Sequence, residues 1–218
     1  MCRPWSVGRP PKEALLSILA ISHRFMMDSG VDWAIQALDC LDSDAALSPT
    51  HRLQLAFRYK IQQWILPAVS SLIDRQVSRK QLRLFTNDDI DQMGIRTYIV
   101  ISKGIEAVQS ARTSVAITTP IVHHSPQCRL HQKDQDCTQA WVSFWLTTIP
   151  RTLLAADNPM PLQSLSSFLQ QTSVKNVHDT CKTLTVFHFR STEVVKVETM
   201  VKEQVSSKVW GYYEEGLM

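Results

Sequence analysis

The sequence is poor in glycine, and this scarcity already restricts the folds it can adopt. Only 6 of its 218 residues are glycine. Tight turns and phosphate-cradling loops depend on glycine, because it adopts positive φ angles at little steric cost. The composition therefore disfavours a β-sandwich and a nucleotide-binding loop, and it favours helices.

Long apolar runs and concentrated charge are lacking as well. A membrane-spanning helix needs about 18 or more apolar residues, whereas the apolar stretch 14–21 is already interrupted by Ser17. The formal net charge is +3, and the densest basic run, 79–83, holds only three positive charges. We therefore expect neither membrane insertion nor a nucleic-acid-binding stripe.

The five cysteines lack the even number and regular spacing of a disulfide framework. They stand at Cys2, Cys40, Cys128, Cys137 and Cys181. Small secreted proteins use paired cysteines as staples, and this pattern does not resemble theirs. We therefore expect a reducing compartment, either cytoplasmic or nuclear.

The composition is otherwise that of a folded globular protein, with 44% hydrophobic and 20% charged residues. Apolar residues recur at helical spacing along most of the chain, most regularly from Trp64 to Ile73. Ser48 before Pro49, and Thr86 before three acidic or amide residues, are typical helix-start signals. These patterns predict an all-α fold.

Six helices are predicted before residue 112, and the rest follow a long loop. The predicted helices cover about 11–30, 32–41, 49–60, 64–73, 86–93 and 95–111. In the sixth, Ile99, Ile105 and Val108 are predicted to face one way. After the loop, helix is predicted around 141–149 with an interruption at Pro150, then at 162–170, from 174, and in a final valine-rich helix. The valines of that last helix are more typical of a core than of a docking surface.

The predicted organisation has four parts. Residues 1–11 are irregular, 12–112 form a first helical unit, 113–136 form a loop, and 137–218 form a C-terminal helical segment. A loop of about two dozen residues inside a compact domain is uncommon and is usually functional or disordered. We therefore place the domain boundary there.

One run of residues resembles a known family. Ala56, Tyr59, Ile61, Trp64, Ile65, Pro67 and Ala68 match the pattern that follows the BTB/POZ domain in fungal, basidiomycete-type BTB proteins. There, the run closes the BTB fold and opens a BACK-like helical extension. Three further segments are similar to that family, and they lie at 85–95, 128–145 and 158–162. The resemblance spans about residues 12–209.

The resemblance implies a role, and the departures from the family limit it. Family members dimerise through the BTB domain and can recruit cullin-type ubiquitin ligases, while the extension presents a substrate. Only some eleven residues precede the first helix here, so the sheet-bearing part of the BTB domain and its dimer surface are missing. Residues 77–83 also resemble an insertion. We therefore do not expect BTB-type homodimerisation, and we take a truncated or imperfect gene model as a hypothesis.

A cysteine and histidine group in the predicted loop is the sharpest candidate site. Cys128, His131 and Cys137 are of the residue types that bind zinc, and their short spacing lets one loop wrap a tetrahedral ion. The fourth ligand stays open: Cys181, His123, His124 and His178 are the candidates. The alternative is that the cysteines are small buried apolar groups and the histidines are solvated.

The sequence contains no recognisable catalytic signature. None of the cysteines stands in a known nucleophile motif, and the acidic group at 88–91 is explained by helix capping. We therefore expect no enzymatic activity. The leading interpretation is a non-enzymatic protein–protein interaction module of the BTB type, with partners unknown. The alternative is a small zinc-stabilised regulatory protein.

Overall fold

The computed structural model describes residues 10–42, 46–77, 85–126, 128, 136–155 and 157–216. Within these ranges the regular structure is helical, so the predicted all-α class is confirmed. The α-helices are α1 (Lys12–Arg24), α2 (Asp28–Asp39), α3 (Pro49–Tyr59), α4 (Ile65–Val77), α5 (Asn87–Met93), α6 (Ile95–Ile117), α7 (Asp136–Leu153), α8 (Leu162–Gln171), α9 (Asp179–Ser191) and α10 (Val197–Glu214). In the ranges that were searched, none of these helices combines the length and the apolar character needed to cross a membrane.

Two of the predicted helix starts are confirmed in atomic detail. Ser48 precedes α3, and its hydroxyl accepts a hydrogen bond from the His51 N–H at 3.2 Å. Thr86 and Asp89 form a reciprocal capping box at the start of α5, in which each side chain accepts the backbone N–H of the other residue. Each cap satisfies N–H groups that have no partner inside the helix.

The first hydrophobic cluster joins α1 to α6 with α10. Trp64 and Ile101 are among its fully buried side chains. Gly104 of α6 allows close approach of the last helix, since a Cβ at this position would lie 2.7 Å from Cγ2 of Val205. The first core therefore includes residues from the end of the described chain.

Helix α10 is attached to the first cluster by charge as well as by packing. Lys202 donates to Asp74 of α4 at 2.7 Å, and Arg112 of α6 pairs with Glu198. Both partners of the second pair are buried. A buried ion pair is costly to break, because removal of one charge leaves the other desolvated and unpaired.

The second hydrophobic cluster joins the end of α6 to α7, α8 and α9. Trp141 and Trp145 are fully buried at its centre. The indole N–H of Trp145 donates to the carbonyl of Val115 at 3.1 Å, which fixes α7 against the last turns of α6. Helix α6 therefore contributes to both clusters.

Several details of the sequence-based expectation are wrong. The sequence predicts that the loop begins at residue 113, but α6 continues to Ile117. The predicted common face of α6 is also partly wrong, because Ile99 is exposed, whereas Ile101 and Val108 are buried. No interruption occurs at Pro150, which lies inside α7 close to its end. Pro150 removes only the hydrogen bond to the carbonyl of Leu146, and α7 ends three residues later, at Leu153, so the helix is little disturbed. These helix bounds do not test whether 1–11, 12–112, 113–136 and 137–218 are separate parts of the chain, and that division stays a prediction, with its loop beginning after Ile117.

Candidate metal centre

Four potential metal ligands converge at the edge of the second cluster. His124, Cys128, Cys137 and Cys181 each offer one ligand atom, and these atoms all lie within 4.8 Å of one another. They come from three separate stretches of chain, namely the segment after α6, the start of α7 and the start of α9. The fold thus assembles a group that is discontinuous in the sequence.

A tight turn sets the spacing of the first two ligands. The Cys128 N–H donates to the Ser125 carbonyl at 2.9 Å, which closes a four-residue turn with Pro126 at its second position. Proline is favoured there because its fixed φ matches the turn. The turn brings Cys128 back beside His124.

The other two ligands lie at helix N-termini. Cys137 is the second residue of α7, and Cys181 is the third residue of α9. The positive end of a helix dipole favours a thiolate over a thiol. The Ser125 N–H also donates to Sγ of Cys181 at 3.3 Å, a hydrogen bond that stabilises negative charge on that sulfur.

The imidazole of His124 is oriented by a neighbouring hydroxyl. Its Nε2 lies 3.1 Å from Oγ1 of Thr138, on the first turn of α7. Metal-binding histidines commonly donate their second ring N–H to such a partner, which fixes the tautomer. The other ring nitrogen, Nδ1, is buried and is the ring atom that could bind a metal ion.

The three sulfurs are enclosed. Cys128, Cys137 and Cys181 are 3%, 2% and 0% exposed. Burial is the main reason that the pKa of the Cys181 thiol is raised to about 11; Cys128 and Cys137 add to the rise, and the hydrogen bond from Ser125 opposes it. A catalytic cysteine requires the opposite shift of its pKa. The Cys181 thiol therefore lacks the lowered pKa that a nucleophilic cysteine needs.

Both the ligand types and the dimensions fit zinc. Three cysteines and one histidine form one of the standard donor sets of structural zinc sites. With Zn–S bonds of about 2.3 Å, a tetrahedron has its sulfurs about 3.8 Å apart, so the four ligands need to move inward by about 1 Å at most. Four protein ligands leave no open position for a substrate, which is typical of a structural and not a catalytic site.

The structure brings together some of the residues predicted from the sequence and not others. Cys128, Cys137 and Cys181 meet, and His124 is the candidate histidine that joins them. His131 lies outside the described residues. The ring of His123 stacks on His188 at a centroid distance of 3.7 Å, and His178 caps α9 by accepting the Thr180 N–H. These two histidines serve other contacts.

In comparisons with known proteins, no family model, no curated protein and no solved structure matches this chain.

Proposed function

We propose that this chain is a non-enzymatic helical interaction module whose second hydrophobic cluster is stabilised by one zinc ion. The observation that carries the proposal is the convergence of His124, Cys128, Cys137 and Cys181 within 4.8 Å. Buried thiols lose water without gaining strong hydrogen bonds, and a metal ion compensates for that loss. The site therefore contributes to stability and holds the fold in shape.

A bound zinc ion would cross-link parts of the chain that are far apart in the sequence. The described residues 118–126 and 128, which follow α6, are without regular structure. With His124 and Cys128 on this segment and Cys181 on α9, the ion cross-links the segment to the second cluster. Zinc at about 1,000 times its Kd adds about 4 kcal/mol to the free energy of unfolding.

The interaction half of the proposal is supported by resemblance and by exposed apolar side chains. The BTB-like run from Ala56 to Ala68 lies in α3, α4 and the turn between them. At the connection of α1 and α2, Ile21, Phe25 and Met26 are 53%, 67% and 87% exposed. A cluster of this kind is typical of a protein–protein contact. BTB-type dimerisation and ligase recruitment are not part of the proposal.

Metal content is the direct test of the zinc site. The protein is purified without added chelator, and native mass spectrometry together with elemental analysis should find one zinc per chain. Cobalt substitution should give the visible absorption of a tetrahedral thiolate site. Removal of the metal should lower the Tm by about 8–16 °C, because about 4 kcal/mol corresponds to that shift in a chain of this size.

Two variants define which residues bind the ion. Cys181→Ser should lose the zinc and the cobalt spectrum. His178→Asn is the matched control, because asparagine keeps the N-cap of α9 and the residue lies outside the cluster; this variant should keep one zinc. Wild-type protein with no bound metal, or a Cys181→Ser variant that retains it, contradicts the proposal.

The interaction role is tested separately at the exposed cluster between α1 and α2. Affinity purification from the native host, with Phe25→Ser and Met26→Ser combined, should recover fewer specific partners than the wild type does. Both side chains are exposed, so the variant should keep its Tm. An unchanged set of partners would contradict a role for this surface.

A further inference from the structure

The irregular residues that follow α6 form a strap beside α9. We use this name for the described residues 118–126 and 128. Of these residues only Ser125 and Cys128 are buried, and Val122 packs partly against the second hydrophobic cluster. A segment with few buried apolar contacts and no regular structure opens at a lower free-energy cost than the helices beside it.

The strap contacts one face of α9. The His123 N–H donates to Oγ1 of Thr185 at 2.9 Å, and the His123 ring stacks on His188. Further along the strap, the Ser125 N–H donates to Sγ of Cys181 at 3.3 Å. The three contact residues of α9 are four and three positions apart, so they share a face of the helix. The strap therefore runs antiparallel to α9.

Thr185 sets the register of the strap on this face. Its side chain is 1% exposed, and a buried hydroxyl is costly unless it has a hydrogen-bond partner. The His123 N–H is such a partner. Because His124 is the next residue, the same bond helps to place its imidazole beside the cysteines of the metal centre.

The metal centre lies at the far end of the strap. His124 and Cys128 belong to the strap, whereas Cys137 and Cys181 belong to α7 and α9. This end of the strap can therefore lift from the two helices only after a bound ion has been released. The four ligands all lie outside the first hydrophobic cluster, so the ion acts directly on the second.

The strap also covers apolar side chains. Together with the end of α6 and with α9, it borders a cavity of about 320 Å³. Val115 and Phe189 line this cavity and are 8% and 7% exposed. Lifting of the strap removes one wall of the cavity and increases the exposure of both side chains to water.

We propose that metal occupancy controls whether the strap lies closed on α9, and that Thr185 is the positioning residue that sets its register. The first part rests on the proposed zinc site, whereas the second rests only on the contacts of the strap. Zinc that binds only the closed form, at about 1,000 times its Kd, multiplies the ratio of closed to open strap by about 1,000. The metal-free chain opens locally at this segment.

Native-state hydrogen exchange of the full chain tests the metal control. Amide exchange is followed by NMR at several low urea concentrations, in protein with one zinc per chain and in chelator-treated protein. The amides of His123, Ser125 and Cys128 should exchange up to about 1,000-fold faster without zinc. Their rates in the zinc-free protein should be nearly independent of urea, because a local opening exposes little surface. The amides of Leu19 and Ile101, in the first cluster, should respond steeply to urea.

The outcomes separate failure of the metal control from failure of the zinc site. If the strap amides show the same urea dependence as Leu19 and Ile101, the strap opens only on global unfolding; the metal control is then refuted and the zinc site stands. Equal strap exchange with and without zinc, in a protein that contains one zinc per chain, has the same meaning. A chain that never contains zinc refutes the zinc site and the metal control together, and leaves the role of Thr185.

Thr185→Val tests that role, because it removes the acceptor of the His123 N–H with little change in side-chain size. In zinc-free protein the His123 amide should exchange about two- to tenfold faster, since one hydrogen bond has an effect of that size. Zinc affinity, measured by competition with a chromophoric chelator, should fall by a similar factor, and Thr185→Ser should restore both. Thr183→Val is the matched control, because its exposed hydroxyl donates to the Asp179 carbonyl within α9. Equal effects of the two valine variants would overturn the role of Thr185.

Discussion

The close contact between α6 and α10 requires a glycine at position 104, and the change in the free energy of unfolding on adding a side chain there can be estimated. A Cβ at Gly104 would lie 2.7 Å from Cγ2 of Val205 and 3.4 Å from Cδ1 of Ile73. Carbon atoms attract best at about 3.5–4.0 Å, so the first contact is too short by about 0.8 Å. Valine in a helix has essentially one χ1 rotamer and cannot swing away. Gly104→Ala therefore forces the helices apart.

Two opposing effects determine the result of this substitution. Alanine in place of a helical glycine stabilises by about 1 kcal/mol, whereas overpacking a core costs about 1–3 kcal/mol. We expect Gly104→Ala to lower the free energy of unfolding by up to about 2 kcal/mol. Gly211 is the matched control, because a Cβ there meets nothing within 4 Å; Gly211→Ala should be stabilising by up to about 1 kcal/mol.

Urea unfolding under the same metal conditions measures both variants, with the m-value checked for two-state behaviour. A third protein combines Gly104→Ala with Val205→Ala. Its loss in the free energy of unfolding should be smaller than the sum of the two single losses by at least about 0.5 kcal/mol, because the smaller side chain at 205 removes the overlap. If Gly104→Ala were as stabilising as Gly211→Ala, the close approach of the two helices would be refuted.

Two further predictions concern ionisable side chains. Arg112→Met alone should lower the free energy of unfolding by about 3–5 kcal/mol, because it leaves Glu198 buried without a partner charge. Adding Glu198→Leu should restore most of the loss. Additive losses in urea unfolding would contradict this coupling. Burial and, to a lesser extent, the charge of Lys12 lower the pKa of His51 below 6.5. Below that pH the unfolded chain binds more protons than the folded one, so stability should fall as the pH falls. In thermal melts at a series of pH values, the Tm of His51→Asn should fall less steeply with decreasing pH than that of the wild type. Parallel Tm curves would exclude His51 as a source of the pH dependence.

Local signals in the sequence predicted the local structure well. The caps at Ser48 and Thr86 depend only on residues within one helical turn, so the pattern carries all the information required. The face of α6 was harder, because Gly104 is buried there and has no side chain to mark the buried face. The sequence predicts an interruption at Pro150, but a proline near a helix end removes only one hydrogen bond of the last turns.

The metal site shows the same division between local and distant information. The ligand types could be recognised from Cys128 and Cys137, which lie near each other in the chain. The choice of His124 depends on the turn at Ser125 and on contact with α7, and Cys181 depends on the packing of α9. Spacing alone gave several equivalent candidates, and only the tertiary fold distinguishes among them.

The return of α10 to the first cluster has a consequence for synthesis of the chain on the ribosome. Val205 and Val209 complete a core whose other buried members lie between Leu15 and Val108. At about 5–20 residues per second, the roughly 100 intervening residues take about 5–20 seconds to translate. During that interval the apolar surface of α4 and α6 that α10 will cover is open to water or to chaperones, and the second cluster, whose last buried member is Phe189, is completed only shortly before Val205 is made.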